Sequence, residues 1–169
     1  MRYLNFEKLL VPVDFSNESF TAVDAALELV KHPHQLCVVH VLPQITRLEV
    51  GIVWIAEYDE ERCQRALDEM RDRLRDPKYC GIDLQVAIGD AAHQIIKAAE
   101  VTHANLIVIP SHSRPGCRHL LMGSVAERVL RLAQCPVLVL KHQNDVQYEQ
   151  AESTVAGKSN LAPATRCSG

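Results

Sequence analysis

Short, unbroken apolar runs that stop abruptly, each followed by a segment of helical period, constrain this chain more than any other feature. Lys8-Leu9-Leu10-Val11-Pro12-Val13 ends at Asp14-Phe15-Ser16, the run from Leu36 to Leu42 ends at Pro43, and Leu106-Ile107-Val108-Ile109 ends at Pro110. Runs this short and unalternating are strands covered on both faces, a property of parallel sheets flanked by helices. A further run, Pro136 to Leu140, carries its proline at the start, where a missing N–H is tolerated.

The intervening segments read as helices. Phe20, Val23, Leu27 and Val30 recur at helical spacing after Ser16, a favoured N-cap residue, with Glu18 in the first turn and Pro33 expected to close the helix. Residues 56–75 place Cys63, Leu67, Met70 and Leu74 on one face among many charges, the pattern of a surface helix whose charges are solvated. Leu84, Val86 and Ile88 then alternate with Asp83, Gln85 and Ala87, which marks an edge strand. Asp90 is placed to cap a helix over 91–101 with Ile95, Ala98 and Ala99 inward. Ser124 and Glu127 have the spacing of a capping box opening the last helix, whose inner face is expected at Val125, Val129 and Leu132.

Strict alternation of strand and helix implies a largely parallel sheet with right-handed crossovers and helices on both faces. Residues 143–169 lack any period and are expected to form a disordered tail, leaving 1–142 as one domain.

Composition narrows the partners. A net charge of −3 supplies no broad cationic field, so neither nucleic acid nor a membrane surface is an expected partner. The six cysteines contain no C-x-x-C pair, which argues against a zinc ribbon or a dithiol redox motif and for free thiols. Met1–Lys8 lacks an apolar signal core, and no segment approaches the roughly 18 consecutive apolar residues of a membrane span. The expected location is the cytoplasm.

In an open parallel sheet a ligand binds beyond the C-terminal strand ends, where the winding reverses direction. If the first strands build outward and the chain returns to lay the fourth beside the first, Asp14 faces the loop starting at Pro110, with Val41 at a third edge. The start of the last helix, Gly123-Ser124-Val125, adds free N–H groups and a positive dipole end, and Arg114 adds charge. By local sequence alone, two readings of Ser124 stand open: an anion ligand, or a cap for its own helix.

These residues resemble those of the universal stress proteins. The likeness rests on Val11-Pro12-Val13-Asp14-Phe15-Ser16, Val38-Val39-His40-Val41, Gly89-Asp90, and above all Ser111-His112-Ser113-Arg114-Pro115-Gly116 through Gly123-Ser124-Val125-Ala126-Glu127-Arg128-Val129. It spans about residues 5 to 142. The resemblance implies a three-layer α/β/α fold: an open, twisted, parallel five-stranded sheet in the order 3-2-1-4-5, of the Rossmann-like, adenine nucleotide alpha hydrolase-like kind. It also implies homodimers through the last strand, here Val137, Leu138, Val139 and Leu140, and in one branch an ATP site with the pattern G-x2-G-x9-G-[ST].

Laid onto this chain, that pattern keeps Gly123 and Ser124 but places Pro110 and Ser113 where the first two glycines belong. Pro110 removes an N–H donor, and Ser113 adds a Cβ where phosphates approach the backbone. By the same carry-over Pro12, Val13, Asp14 and Val41 line the adenine and ribose end. Ile109 and Pro110 lie beside them, and His112, Ser113, Arg114, Gly116, Gly123, Ser124 and Val125 face the phosphates of ATP, with or without magnesium. Asp14 has a second reading as the residue that turns the chain or caps the first helix.

Two functions follow. One is a small stress-response or signalling protein that binds ATP or a related adenine nucleotide; the other is a dimeric interaction module with a vestigial pocket. No residue is an evident general base, so the expected catalysis is at most slow ATP hydrolysis. His40, inside an apolar run, reads as a core histidine with a satisfied hydrogen bond. A phosphoacceptor aspartate at Asp14, a hydrolase built on Ser111 or Ser113, and a metal site on His112, Cys117, His119 and Cys135 all lack the neighbours or spacing that such chemistry needs.

Overall fold

The computed structural model describes residues 6–45, 55–111 and 122–141. In chain order the elements are β1 (Leu9–Val13), α1 (Asn17–Leu29), β2 (Leu36–Leu42), α2 (Ile55–Arg73), β3 (Asp83–Ile88), α3 (Ala91–Val101), β4 (Leu106–Pro110), α4 (Ser124–Leu132) and β5 (Val137–Leu140). Short 3-10 turns at Pro33–Gln35 and Pro77–Tyr79 lead into β2 and β3. The strands form one five-stranded sheet in the order β3-β2-β1-β4-β5, and every pairing in it is parallel. This is the strand order that the resemblance implied, and β3 lies at an edge as its alternation marked.

Alternation along β1 divides the core. Leu9, Val11 and Val13 pack with Ala22, Val23 and Ala26 of α1 and Met70 of α2. Leu10 points the other way, into a cluster with Ile95 of α3, Ile107 and Ile109 of β4, and Val129 of α4. Both faces of the central strand are therefore dry, and burying each such aliphatic side chain contributes about 1.5–3 kcal/mol.

Local signals set most of the helix starts. The Ser16 side chain accepts a hydrogen bond from the Ser19 N–H at 3.2 Å, and Asp90 does the same for the His93 N–H at 3.1 Å. The end of α1 differs from expectation. The helix stops at Leu29 because Val30 is already extended, at φ −108 and ψ 158, and Pro33 opens a 3-10 turn instead of closing the helix.

The start of α4 also differs. Gly123 is its N-cap, with φ −67 and ψ 147, and no side chain caps it, so the expected Ser124–Glu127 box does not form. The cause is tertiary, since the Gly123 N–H donates to the Ser111 carbonyl at 2.7 Å and starts the helix one residue early. The buried face turns accordingly to Ala126 and Val129, Val125 is half-buried, and Leu132 is exposed.

Candidate functional site

The crevice arises from unequal strand pairing. β1 stays in register with β2 to its last residue, Val13 opposite His40. With β4 it pairs only at Leu9–Leu106 and Leu10–Ile107. Beyond those pairs β1 and β4 separate, at the point where the winding reverses and ligands of such sheets bind. A cavity of about 560 Å³ occupies the gap.

Every described residue named from the sequence for this site lines that cavity. β1 and its exit supply Pro12, Val13 and Asp14; β2 supplies Val41; β4 supplies Ile109 and Pro110; and the α4 start supplies Gly123, Ser124 and Val125. His112, Ser113, Arg114 and Gly116 lie outside the described residues. Sequence reasoning missed Val39, His40, Ala91, Ile95, Ser111 and Ala126 as wall residues, and Ser19 at the start of α1. The inward helical face of Ile95 and the strand position of Val39 marked them as core, which they also are.

Polar groups converge on an otherwise apolar chamber. At the α4 start, the Glu127 N–H is taken by the Gly123 carbonyl at 2.9 Å and the Gly123 N–H by Ser111. The Ser124, Val125 and Ala126 amides lie between these and make no hydrogen bond to a described residue. They are the donors that a helix start leaves without an intrahelical partner, at the positive end of the helix dipole, the arrangement that accepts a phosphate or similar anion. The Ser124 hydroxyl is exposed and unused as a cap. Close approach depends on Gly123: a Cβ there would stand 3.3 Å from the Ser111 carbonyl oxygen.

Ser111 itself is only 2% exposed. Its N–H donates to the Leu140 carbonyl at 2.8 Å, so one residue joins the ends of β4 and β5 to the cap of α4.

Across the chamber Asp14 is exposed. Its Oδ1 accepts from the Ser16 N–H at 3.1 Å and from the Ser16 hydroxyl at 2.5 Å. Asp14 therefore turns the chain, as one reading held, but the cap of α1 is Ser16. Phe15, between them, has φ 65. His40 keeps the satisfied hydrogen bond expected of it, Nδ1 to the Val13 carbonyl at 2.8 Å, yet it is half-exposed and forms part of the wall.

Of the residues weighed for metal chemistry, His112, Cys117 and His119 lie outside the described residues. Asp90 is committed to capping α3 and to an ion pair with Arg128. Cys135 lies not in this chamber but at a separate notch of about 60 Å³ between α3 and the α4–β5 turn. Among the described residues no group of His, Cys, Asp and Glu could hold a metal ion, and no helix is long and apolar enough to cross a membrane.

Comparison with known proteins gives one consistent match. The profile of the universal stress protein family fits residues 5–141. Universal stress protein YxiE of Bacillus subtilis is 31% identical over 148 residues, covering 80% of this chain and 99% of that protein. Universal stress protein MJ0531 of Methanocaldococcus jannaschii is 32% identical over 142 residues, 80% of this chain and 82% of its own length. Among solved structures, hypothetical protein MJ0577 superposes with a TM-score of 0.69 at 23% identity, covering 83% of this chain and 99% of that one. A universal stress protein in complex with cAMP superposes with a TM-score of 0.58 at 18% identity, over 80% and 97% of the two chains.

Proposed function

Because this chain belongs to the universal stress protein family, we propose that it binds ATP or a related adenine nucleotide in the crevice between β1 and β4. The observation that carries this reading is the pairing of an apolar chamber with the Ser124, Val125 and Ala126 amides, which bond to no described residue, at one end and Asp14 at the other. Such a chamber suits a ligand with a flat, weakly polar base and a charged phosphate tail. That a relative of the same fold has been solved with cAMP supports the ligand class.

In this reading Pro12, Val13 and Val41 pack against the base and Asp14 accepts from the sugar. The α4 amides and the Ser124 hydroxyl hold a phosphate, and His112, Ser113, Arg114 and Gly116 complete its cradle. Magnesium, if it accompanies the nucleotide, is held by the phosphates and water, as that ion prefers. In this reading the protein acts by binding, with at most slow ATP hydrolysis, in the cytoplasm, as a stress-response or signalling component. We place the binding domain within residues 1–142; residues 143–169 lie outside the described residues.

A second reading, a dimeric interaction module with a vestigial pocket, is favoured by Pro110, which offers no N–H to a phosphate. Both readings include a homodimer through β5. Among the described residues that strand pairs only with β4, and Leu138 on it is 37% exposed. An apolar edge of this kind is blunted by pairing with its symmetry mate.

Mass spectrometry of the protein as purified tests the proposal. Adenine nucleotide released on denaturation is the expected result. A nucleotide-free preparation that also fails to take up added ATP leaves the interaction module standing alone.

A further inference from the structure

In the crevice wall, one side chain touches the residues on both sides of Asp14, the backbone of Val13 and the ring of Phe15. The His40 Nδ1 lies 2.8 Å from the carbonyl oxygen of Val13, the last residue of β1. A carbonyl only accepts, so Nδ1 carries the proton and donates. The His40 ring also packs on Phe15, with centroids 4.4 Å apart.

Phe15 needs that support. Its φ of 65 lies in the left-handed region, unfavourable for a bulky side chain and kept only where the surroundings fix it. Phe20 flanks the same ring at 6.3 Å, and Arg73 donates to the Phe15 carbonyl at 3.4 Å.

The consequence falls on Asp14. Val13 before it is 5% exposed, Phe15 after it is half-buried against the α1 and α2 side of the core, and of the three Asp14 is the exposed one, at the crevice. Val39 packs on the α3 and α4 side. Side chains alternate along a strand, so the His40 ring faces the opposite side from Val39, the side on which Phe15 packs.

We propose that His40 is a positioning residue: by donating to Val13 and seating Phe15, it holds the Asp14 carboxylate where it accepts hydrogen bonds from the ribose hydroxyls of a bound nucleotide. This rests on the nucleotide reading above and adds to it the source of a preference for ribose over deoxyribose. A hydrogen bond to a carboxylate is worth enough to make that preference about tenfold or more.

The test is calorimetric titration with ATP and 2′-deoxy-ATP. Wild type is expected to favour ATP about tenfold. His40→Phe keeps an aromatic seat but cannot donate, and is expected to bring the ratio close to one while leaving affinity for 2′-deoxy-ATP nearly unchanged. His40→Asn, whose amide can donate from the place of Nδ1, restores part of the preference. Phe15→Gly, which tolerates a positive φ, removes the seat without straining the backbone and lowers the ratio even if His40→Phe does not fold.

A wild type that binds both nucleotides equally overturns the inference and leaves the nucleotide reading intact. So does a His40→Phe protein that keeps the full preference. A wild type that binds neither nucleotide removes both.

Discussion

Arg128 grips Asp90 with both terminal nitrogens, Nη1 to Oδ2 at 2.8 Å and Nη2 to Oδ1 at 2.9 Å, and so ties the start of α3 to the second turn of α4. Both helices contribute to the crevice wall, through Ala91 and through Gly123 to Ala126. The same carboxylate caps α3 through the His93 N–H and meets the His93 ring at 2.9 Å. The contact thus links helix capping, helix packing and the shape of the candidate site.

The Arg128 guanidinium, and after it the His93 N–H, hold the Asp90 carboxyl well below the usual carboxylate range. A carboxyl whose folded pKa lies below its unfolded value stabilises the protein fully above the unfolded pKa, near 3.9, and loses that contribution as pH falls further. Asp90→Asn should therefore melt lower than wild type at pH 7, and the two should converge below about pH 4. The gap at pH 7 should be small and shrink further in high salt, because the pair is exposed and screened. Melting curves at several pH values, read by circular dichroism, check both the sign and the window.

Thiol reactivity offers a second test. Burial, with a smaller contribution from Asp83, pushes the Cys37 thiol up to about 12, and the residue is fully buried in β2. Cys80 is exposed in the turn before β3. Since the thiolate is the reacting species, alkylation at pH 8 should modify Cys80 in the native protein and spare Cys37 until denaturant is added. Peptide mapping after timed alkylation reads this residue by residue, and early labelling of Cys37 would contradict the packing of the central sheet.

The proposed dimer rests on β5. Replacing Leu138 by Lys puts a charge at the centre of that strand, where charges discourage edge pairing. The residue is 37% exposed in the single chain, so the fold should survive while the assembly dissociates. Sedimentation should show wild type as a dimer and Leu138→Lys as a folded monomer; a monomeric wild type would remove the interface.

What could be read in advance followed the range of the forces involved. The β1, β2 and β4 runs were legible because a strand dry on both faces leaves no polar positions, and Ser16 and Asp90 because a cap bonds to an amide three residues away. The start of α4 was misread for the opposite reason. Ser124 and Glu127 satisfy the local pattern, but the bond from Gly123 to Ser111 comes from a separate element and overrides it.

The site divides in the same way. Asp14 and Gly123 to Val125 could be named from where a strand ends and a helix begins, and Pro12 and Val13 from the family resemblance. His40, Ala91 and Ile95 could not, since their place in the wall depends on where β1 parts from β4, and no local pattern records that.

The account stands on one claim, that the amides at the start of α4 receive a phosphate in the crevice. Titration of ATP with magnesium into wild type and Gly123→Arg, followed by calorimetry, examines it directly. The Gly123 side chain position is already within 3.3 Å of the Ser111 carbonyl, so arginine there must displace the cap or fill the phosphate end. Saturable binding tighter than about 1 mM by wild type, lost in the variant, is the predicted result. Equal affinity in the two proteins, or no binding to wild type, would contradict it.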